Sequence, residues 1–326
     1  PDASRVTDAV GSLLNTQQRP EYERTVRGEQ EEARRRHQAP TRAPLRPYEE
    51  ARARRARPGW DTEPPAPSFV GRAIIEDQPL AALRPYIDWT FFFAAWQVKG
   101  RFPDVLDHPR HGAAARELYE HAQAMLDEIV AGRSIRARAA YGFWPAEAAA
   151  DADDIVLFED ASRSRVAARF PMLRQQEDHG DERPHRSLAD FIAPHGARAC
   201  DYIGAFAVTA GIGVDELVAR YQADRDDYRA IMVKALADRL AEAFAEYLHQ
   251  RVRREWGYGR DEALTNEDLI AEKYRGIRPA FGYPACPDHS EKRRLFALLD
   301  ATPLGLTLTS SCAMLPAASV SGLYFS

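Results

Sequence analysis

Lysine and cysteine are both scarce in this chain. Only Lys99, Lys234, Lys273 and Lys292 are lysines, so 44 basic residues less these 4 leaves 40 arginines. With so much alanine beside it, that bias reads more as a trait of the genome or of growth temperature than of the function. The three cysteines, Cys200, Cys286 and Cys312, lie far apart. They form no C-x-x-C pair and no zinc-site spacing, and such a set suits a reducing, cytoplasmic setting better than a disulfide scaffold. No run of about 18 apolar residues exists, which leaves no candidate for a transmembrane helix and no expected membrane partner. Residues Pro1-Asp-Ala-Ser-Arg5 carry neither the apolar core of a signal peptide nor an initiator Met, so the chain reads as excised from a longer protein. A net charge of −5 argues against a general binder of phosphate backbones, and no nucleic-acid partner is expected.

What the chain does have is apolar residue enough, 45% of 326, to bury a substantial core. Val6, Val10, Leu13 and Leu14 recur at helical spacing and predict a short helix over 6–14. Residues 20–38 are dense in Glu and Arg, the pattern of a solvated helix laced by i,i+4 charge pairs. From 39 to 67 prolines crowd in (Pro40, Pro44, Pro47, Pro58, Pro64, Pro65 and Pro67), which predicts an extended linker. Residues 1–67 are thus read as a linker region and 68–326 as one compact domain. Within that domain, helices are expected over 113–131, 214–224, 227–254 and 266–273. Strands are expected at Tyr141–Trp144, Ile155–Phe158, Val166–Phe170 and Tyr202–Val208, with two more in 304–326. Met232, Leu236, Leu240, Phe244, Leu248 and Val252 repeat every four residues and predict one buried stripe on the longest helix. The elements mix without a βαβ rhythm, which argues for an α+β fold.

Several constellations could carry chemistry. In Arg278-Pro-Ala-Phe-Gly-Tyr-Pro284, two prolines and a glycine make a stiff loop whose backbone can approach a ligand. Arg278 could grip a carboxylate with both arms of its fork, or form a surface salt bridge beside an ordinary turn. Asp88, in Tyr86-Ile-Asp-Trp-Thr90, is either a helix N-cap or a ligand for a cation, and the two roles are compatible. Asp238, Glu242, Glu246 and His249 share one helix face. They read as a solvated stripe, or as a place where Glu242 meets a cationic ligand. The spacing Glu246-x-x-His249 is also that of half a di-iron site, which would need a second such motif that the chain lacks. Gly211-Ile-Gly213 hints at a nucleotide loop, but Glu216 replaces the third glycine and would repel a pyrophosphate. Cys286, boxed by Pro284 and Pro287, reads as a packed thiol.

Separate long blocks of this chain resemble the C-terminal activation domain of cobalamin-dependent methionine synthase. They are Tyr86-Ile-Asp-Trp-Thr90, Ala189-Asp-Phe-Ile-Ala-Pro194, Asp201-Tyr-Ile-Gly-Ala-Phe-Ala-Val-Thr209, the helix Ile231–His249, Gly276-Ile-Arg-Pro-Ala280, Gly282-Tyr-Pro-Ala-Cys-Pro287 and Ser319-Val-Ser-Gly322. The resemblance runs from about residue 70 to the end. Upstream, Asp2-Ala-Ser-Arg5 and the charged helix resemble the exit from the cobalamin-binding domain and the linker that follows it.

The resemblance implies a C-shaped domain around a twisted antiparallel sheet with flanking helices. It implies a fragment of a methyltransferase that makes methionine from homocysteine and methyltetrahydrofolate. This domain would bind S-adenosylmethionine and present it to cob(II)alamin, restoring methylcobalamin with an electron from flavodoxin or a flavoprotein reductase. Its partner would be the cobalamin-binding domain of the same chain, and cobalamin and zinc would sit in other domains. Carried over residue by residue, the ligand set is Asp88, Glu242, Arg278, Ala280, Gly282 and Tyr283, with no catalytic and no metal-binding residue. The family continues past the position of Ser326 with a tail that bears two tyrosines near the ligand. Two other readings are a docking module for the cobalamin domain and flavodoxin without ligand binding, and a free-standing Rossmann methyltransferase, which would need a parallel sheet.

Overall fold

The computed structural model describes residues 12–38, 44–60, 64–178, 180–197 and 200–326. The chain forms two compact units, Pro1–Arg54 with Gln175–His185, and Arg55–Arg174 with Arg186–Ser326. In the first unit, helix α1 (Arg19–Gln38) is the charged helix expected from the sequence, with Arg19 donating to Glu23 at 2.7 Å one turn on. Helix α2 (Tyr48–Ala53) follows, and Arg46 is paired with Asp178 at 2.9 Å. Of the helix expected over 6–14, Ser12–Leu14 are helical and the rest, with Val6 and Val10, lies outside the described residues, as does Pro40.

The second unit is built on strands β1 (Gly71–Gln78), β2 (Arg136–Ala148), β3 (Asp154–Phe158), β4 (Val166–Pro171) and β5 (Asp201–Ile212). Three short strands close the chain: β6 (Thr307–Leu308), β7 (Met314–Leu315) and β8 (Ser319–Tyr324). The helices are α3 (Leu80–Leu83), α4 (Trp89–Ala95), α5 (Gly112–Gly132), α6 (Val214–Ala223), α7 (Asp227–Trp256), α8 (Asn266–Ile270) and α9 (Lys292–Leu299). The main sheet runs β4-β3-β2-β5-β8, with β1 also paired to β2, and every strand pair in it is antiparallel. This removes the parallel-sheet methyltransferase reading. Gly211 and Gly213 serve packing instead: a Cβ on Gly211 would strike Pro316, and one on Gly213 would strike the carbonyl of Ser134. The two strands expected in 304–326 are three, and only β8 joins the main sheet, because β6 and β7 pair with each other.

Both faces of the sheet are covered, and strand alternation sorts the side chains between them. On β2, Ala139, Tyr141 and Phe143 point to one core with α5 and α7, while Ala140, Trp144 and Ala146 point to a second core with α9. A strand buried on both sides reads as an unbroken apolar run, which is how Tyr202–Val208 looks in sequence. The predicted stripe of α7 is sealed: Met232 is 1% exposed, and Leu236, Leu240, Phe244, Leu248 and Val252 are 0% exposed. Beside the second core, Arg174 is buried between two carboxylates, bonding Asp153 at 2.6 and 2.7 Å and Asp190 at 2.7 and 2.8 Å. Among the described residues, no helix is long and apolar enough to cross a membrane.

Candidate functional site

The loop flagged in the sequence is tied to the edge of the sheet. Ile277 and Phe325 exchange two backbone hydrogen bonds of 3.1 Å, and the carbonyl of Pro279 accepts from Leu323 N–H at 2.9 Å. Residues 277–279 therefore run beside β8 like a short extra strand. The chain then folds back on itself. The carbonyl of Ala280 accepts from Tyr283 N–H at 3.3 Å and from Cys286 Sγ at 3.0 Å, and Gly282 N–H donates to Cys286 at 2.9 Å. Gly282 has φ 106°, left-handed backbone in which a side chain is strained, and the His289 ring fills the space where its Cβ would stand.

Arg278, between the two anchors, reaches inward to α7. Its Nη1 donates to Glu246 Oε2 at 2.8 Å and to His249 Nδ1 at 3.2 Å. Tyr274 donates to the same Glu246 oxygen at 3.3 Å. His249 is sealed, with its ring stacked on Tyr324 at 5.0 Å and edge-on to Tyr274 at 4.8 Å. Burial, with the charges of Arg278 and Arg253 added, holds the His249 pKa well below the usual histidine value. Burial opposes the charge on Arg278 too, but the Glu246 carboxylate and Tyr274 outweigh it and leave its pKa above the ordinary arginine value. The other edge of the guanidinium, Nε and Nη2, has no partner among the described residues. One arm of the fork is thus held from below, and the edge suited to a carboxylate is left over.

The remaining expected residues have unequal support. Asp88 caps α4, its Oδ1 accepting from Thr90 N–H at 2.9 Å, which leaves its second oxygen without a partner among the described residues. It lines a cleft of about 990 Å³ with Phe102, Tyr119, Gln123 and residues of α8. None of the other five expected residues lines that cleft. The Asp88 segment is nonetheless docked on α7: Tyr86 donates to Gln250 at 2.6 Å, and Arg239 lies over the Phe91 ring at 5.9 Å. Glu242 is exposed and has no ion pair or hydrogen bond among the described residues. Ala280 is half-buried with its N–H unpaired among them, and Tyr283 is 66% exposed.

The face shared by Asp238, Glu242, Glu246 and His249 is not uniformly solvated. Asp238 and Glu242 are exposed, whereas Glu246 is 7% and His249 0% exposed. The buried pair was not read from the sequence as a partner of Arg278. Its i,i+3 spacing, directly beside the apolar stripe, was the available signal. Cys286 is 4% exposed, and burial pushes its thiol up to about 11. It is a packed thiol, as its prolines suggested.

These features define a class: an α+β domain in which a guanidinium propped from α7 stands beside a stiff Pro–Gly loop at the edge of an antiparallel sheet. The family model described as the vitamin B12 dependent methionine synthase activation domain matches residues 79–326. The chain belongs to that family. It is also similar to the MetH reactivation domain crystallised with AdoHcy, at 44% identity and a TM-score of 0.83, over 87% of this chain and 87% of that one.

Proposed function

We propose that this domain binds S-adenosylmethionine and presents it to cob(II)alamin carried by another domain of the same methyltransferase, so that the cobalamin is reductively methylated. The observation that carries the reading is Arg278, held on one side by Glu246 and open on the other, in a chain 44% identical to a domain crystallised with AdoHcy. The polar groups left over match the ligand. Arg278 is an anion receptor for its carboxylate. Asp88 and Glu242, which form no ion pair among the described residues, are anions for its ammonium and sulfonium. The Ala280 N–H, the close backbone at Gly282 and the exposed ring of Tyr283 suit its adenosine half. Once bound, the ligand supplies a methyl group on a positively charged sulfur, and flavodoxin or a flavoprotein reductase supplies the electron. This chain's own part is to hold and aim the ligand.

Calorimetry with S-adenosylmethionine tests the binding step. Arg278→Ala is expected to weaken binding by about 1.5–3 kcal/mol, the range for a lost charge-assisted hydrogen bond. Absence of heat with the wild-type chain would leave docking alone as its role. In the complete enzyme, the same substitution is expected to spare primary turnover. It should slow recovery from cob(II)alamin, followed by the cobalamin absorbance.

A further inference from the structure

We propose that Glu246 and His249 are positioning residues that set the angle of the Arg278 guanidinium, and so make this site select ligands that carry an amino-acid carboxylate. The inference rests on the reading that Arg278 meets that carboxylate. The spacing Glu246-x-x-His249 is that of a metal-ligand pair, yet the partner of both side chains is the same nitrogen, Nη1 of Arg278, at 2.8 and 3.2 Å. An arginine N–H can only donate, so Nδ1 of His249 must be the acceptor and the ring proton sits on Nε2. The ring cannot drift, because Tyr324 stacks on it at 5.0 Å and Tyr274 closes its edge at 4.8 Å. Glu246 is fixed in turn by Tyr274, which donates to Oε2 at 3.3 Å. A guanidinium is planar, so fixing Nη1 by two acceptors on a buried helix fixes the plane and the direction of its Nε–Nη2 edge.

The energetic logic also favours positioning over stability. Glu246 and His249 are almost wholly buried, and each keeps a buried polar atom without a partner among the described residues, Glu246 Oε1 and His249 Nε2. Groups chosen for stability alone would be apolar here, since a buried ion pair returns little beyond its desolvation cost. The arrangement makes sense if its return is a preoriented receptor.

The test is calorimetry on the 326-residue chain with two probes, S-adenosylhomocysteine and 5′-methylthioadenosine, which shares the adenosine but lacks the amino-acid end. Wild type is expected to prefer S-adenosylhomocysteine, and Arg278→Ala to erase the preference. His249→Phe keeps the stacked ring but loses the acceptor. It should weaken S-adenosylhomocysteine by roughly tenfold or more, the scale of a hydrogen bond to a charged group, and leave methylthioadenosine unchanged. His249→Asn returns an acceptor near the Nδ1 position and should restore most of the preference. Glu246→Gln, which retains an acceptor but no charge, should fall between. Equal weakening of both probes in His249→Phe and Glu246→Gln would overturn the proposal, since a merely structural role moves both together. Wild type that binds both probes with the same affinity would instead overturn the assignment of the carboxylate to Arg278.

Discussion

Gly322→Ala tests how the sheet supports the loop. Gly322 sits on β8 opposite Phe206 of β5, and a Cβ there would stand 2.5 Å from the carbonyl oxygen of Pro279 and 3.1 Å from Cε1 of Phe206. Neither obstacle is a flexible tip: one is backbone, the other a sealed ring. Ordinary contact begins near 3.4 Å, so the carbonyl must recede by about 0.9 Å. That carbonyl is also the acceptor for Leu323 N–H at 2.9 Å, the bond that pins the loop just before Ala280. Overpacking costs about 1–3 kcal/mol, and losing most of one backbone bond adds about 1 kcal/mol. Together they come to about 2–4 kcal/mol, or roughly 5–10 °C in Tm for a unit of this size. Because Arg278 lies next to the displaced residue, S-adenosylhomocysteine affinity should drop along with stability. Thermal denaturation followed by circular dichroism, with calorimetry on the same samples, reads both. Gly28→Ala is the control: that glycine lies mid-helix on α1 with nothing within 4 Å of its added Cβ. It should gain about 0.5–1 kcal/mol from its backbone alone. If Gly322→Ala melts and binds like wild type, the close approach of β8 to Pro279 is not what holds the loop.

The other predictions concern single side chains. Asp88→Ala should lose the α4 cap, about 1 kcal/mol, whereas Asp88→Asn keeps a capping oxygen; both should bind S-adenosylmethionine more weakly, and an Asn variant with wild-type affinity would confine Asp88 to capping. Arg174→Ala should cost about 3–5 kcal/mol in urea denaturation by taking the cation away from the buried carboxylates of Asp153 and Asp190, and a loss below about 1 kcal/mol would mean that their other contacts suffice. Cys286, with its thiol pushed up to about 11, is almost all protonated at neutral pH, and its reactive thiolate should grow only as pH climbs toward that value. Iodoacetamide should therefore label half-buried Cys200 well before Cys286, and equal rates would contradict the burial of Cys286.

How far the sequence foretold this arrangement depends on which forces set each feature. The stripe of α7 and the strands β2 to β5 were legible because side-chain period and burial are local properties of the chain. Strands in 304–326 were legible too, but their number and their pairing were not, since whether β6 or β8 joins the sheet is decided by distant partners. Asp88 remained undecided between cap and ligand, and the structure explains why: one oxygen serves the cap and the other is left over. The acidic face of α7 is the sharper case. Helical spacing placed Glu242 and Glu246 on one side, but spacing cannot say which turn passes beneath residue 278, because that depends on residues 277–279 lying against β8. Burial then separates two residues that charge alone would treat alike. Glu246, sealed against Arg278, has its charge balanced within the protein. Glu242, one turn earlier and exposed, has no ion pair among the described residues, so under the proposed function the acid that props the receptor and the acid available to the ligand are different residues.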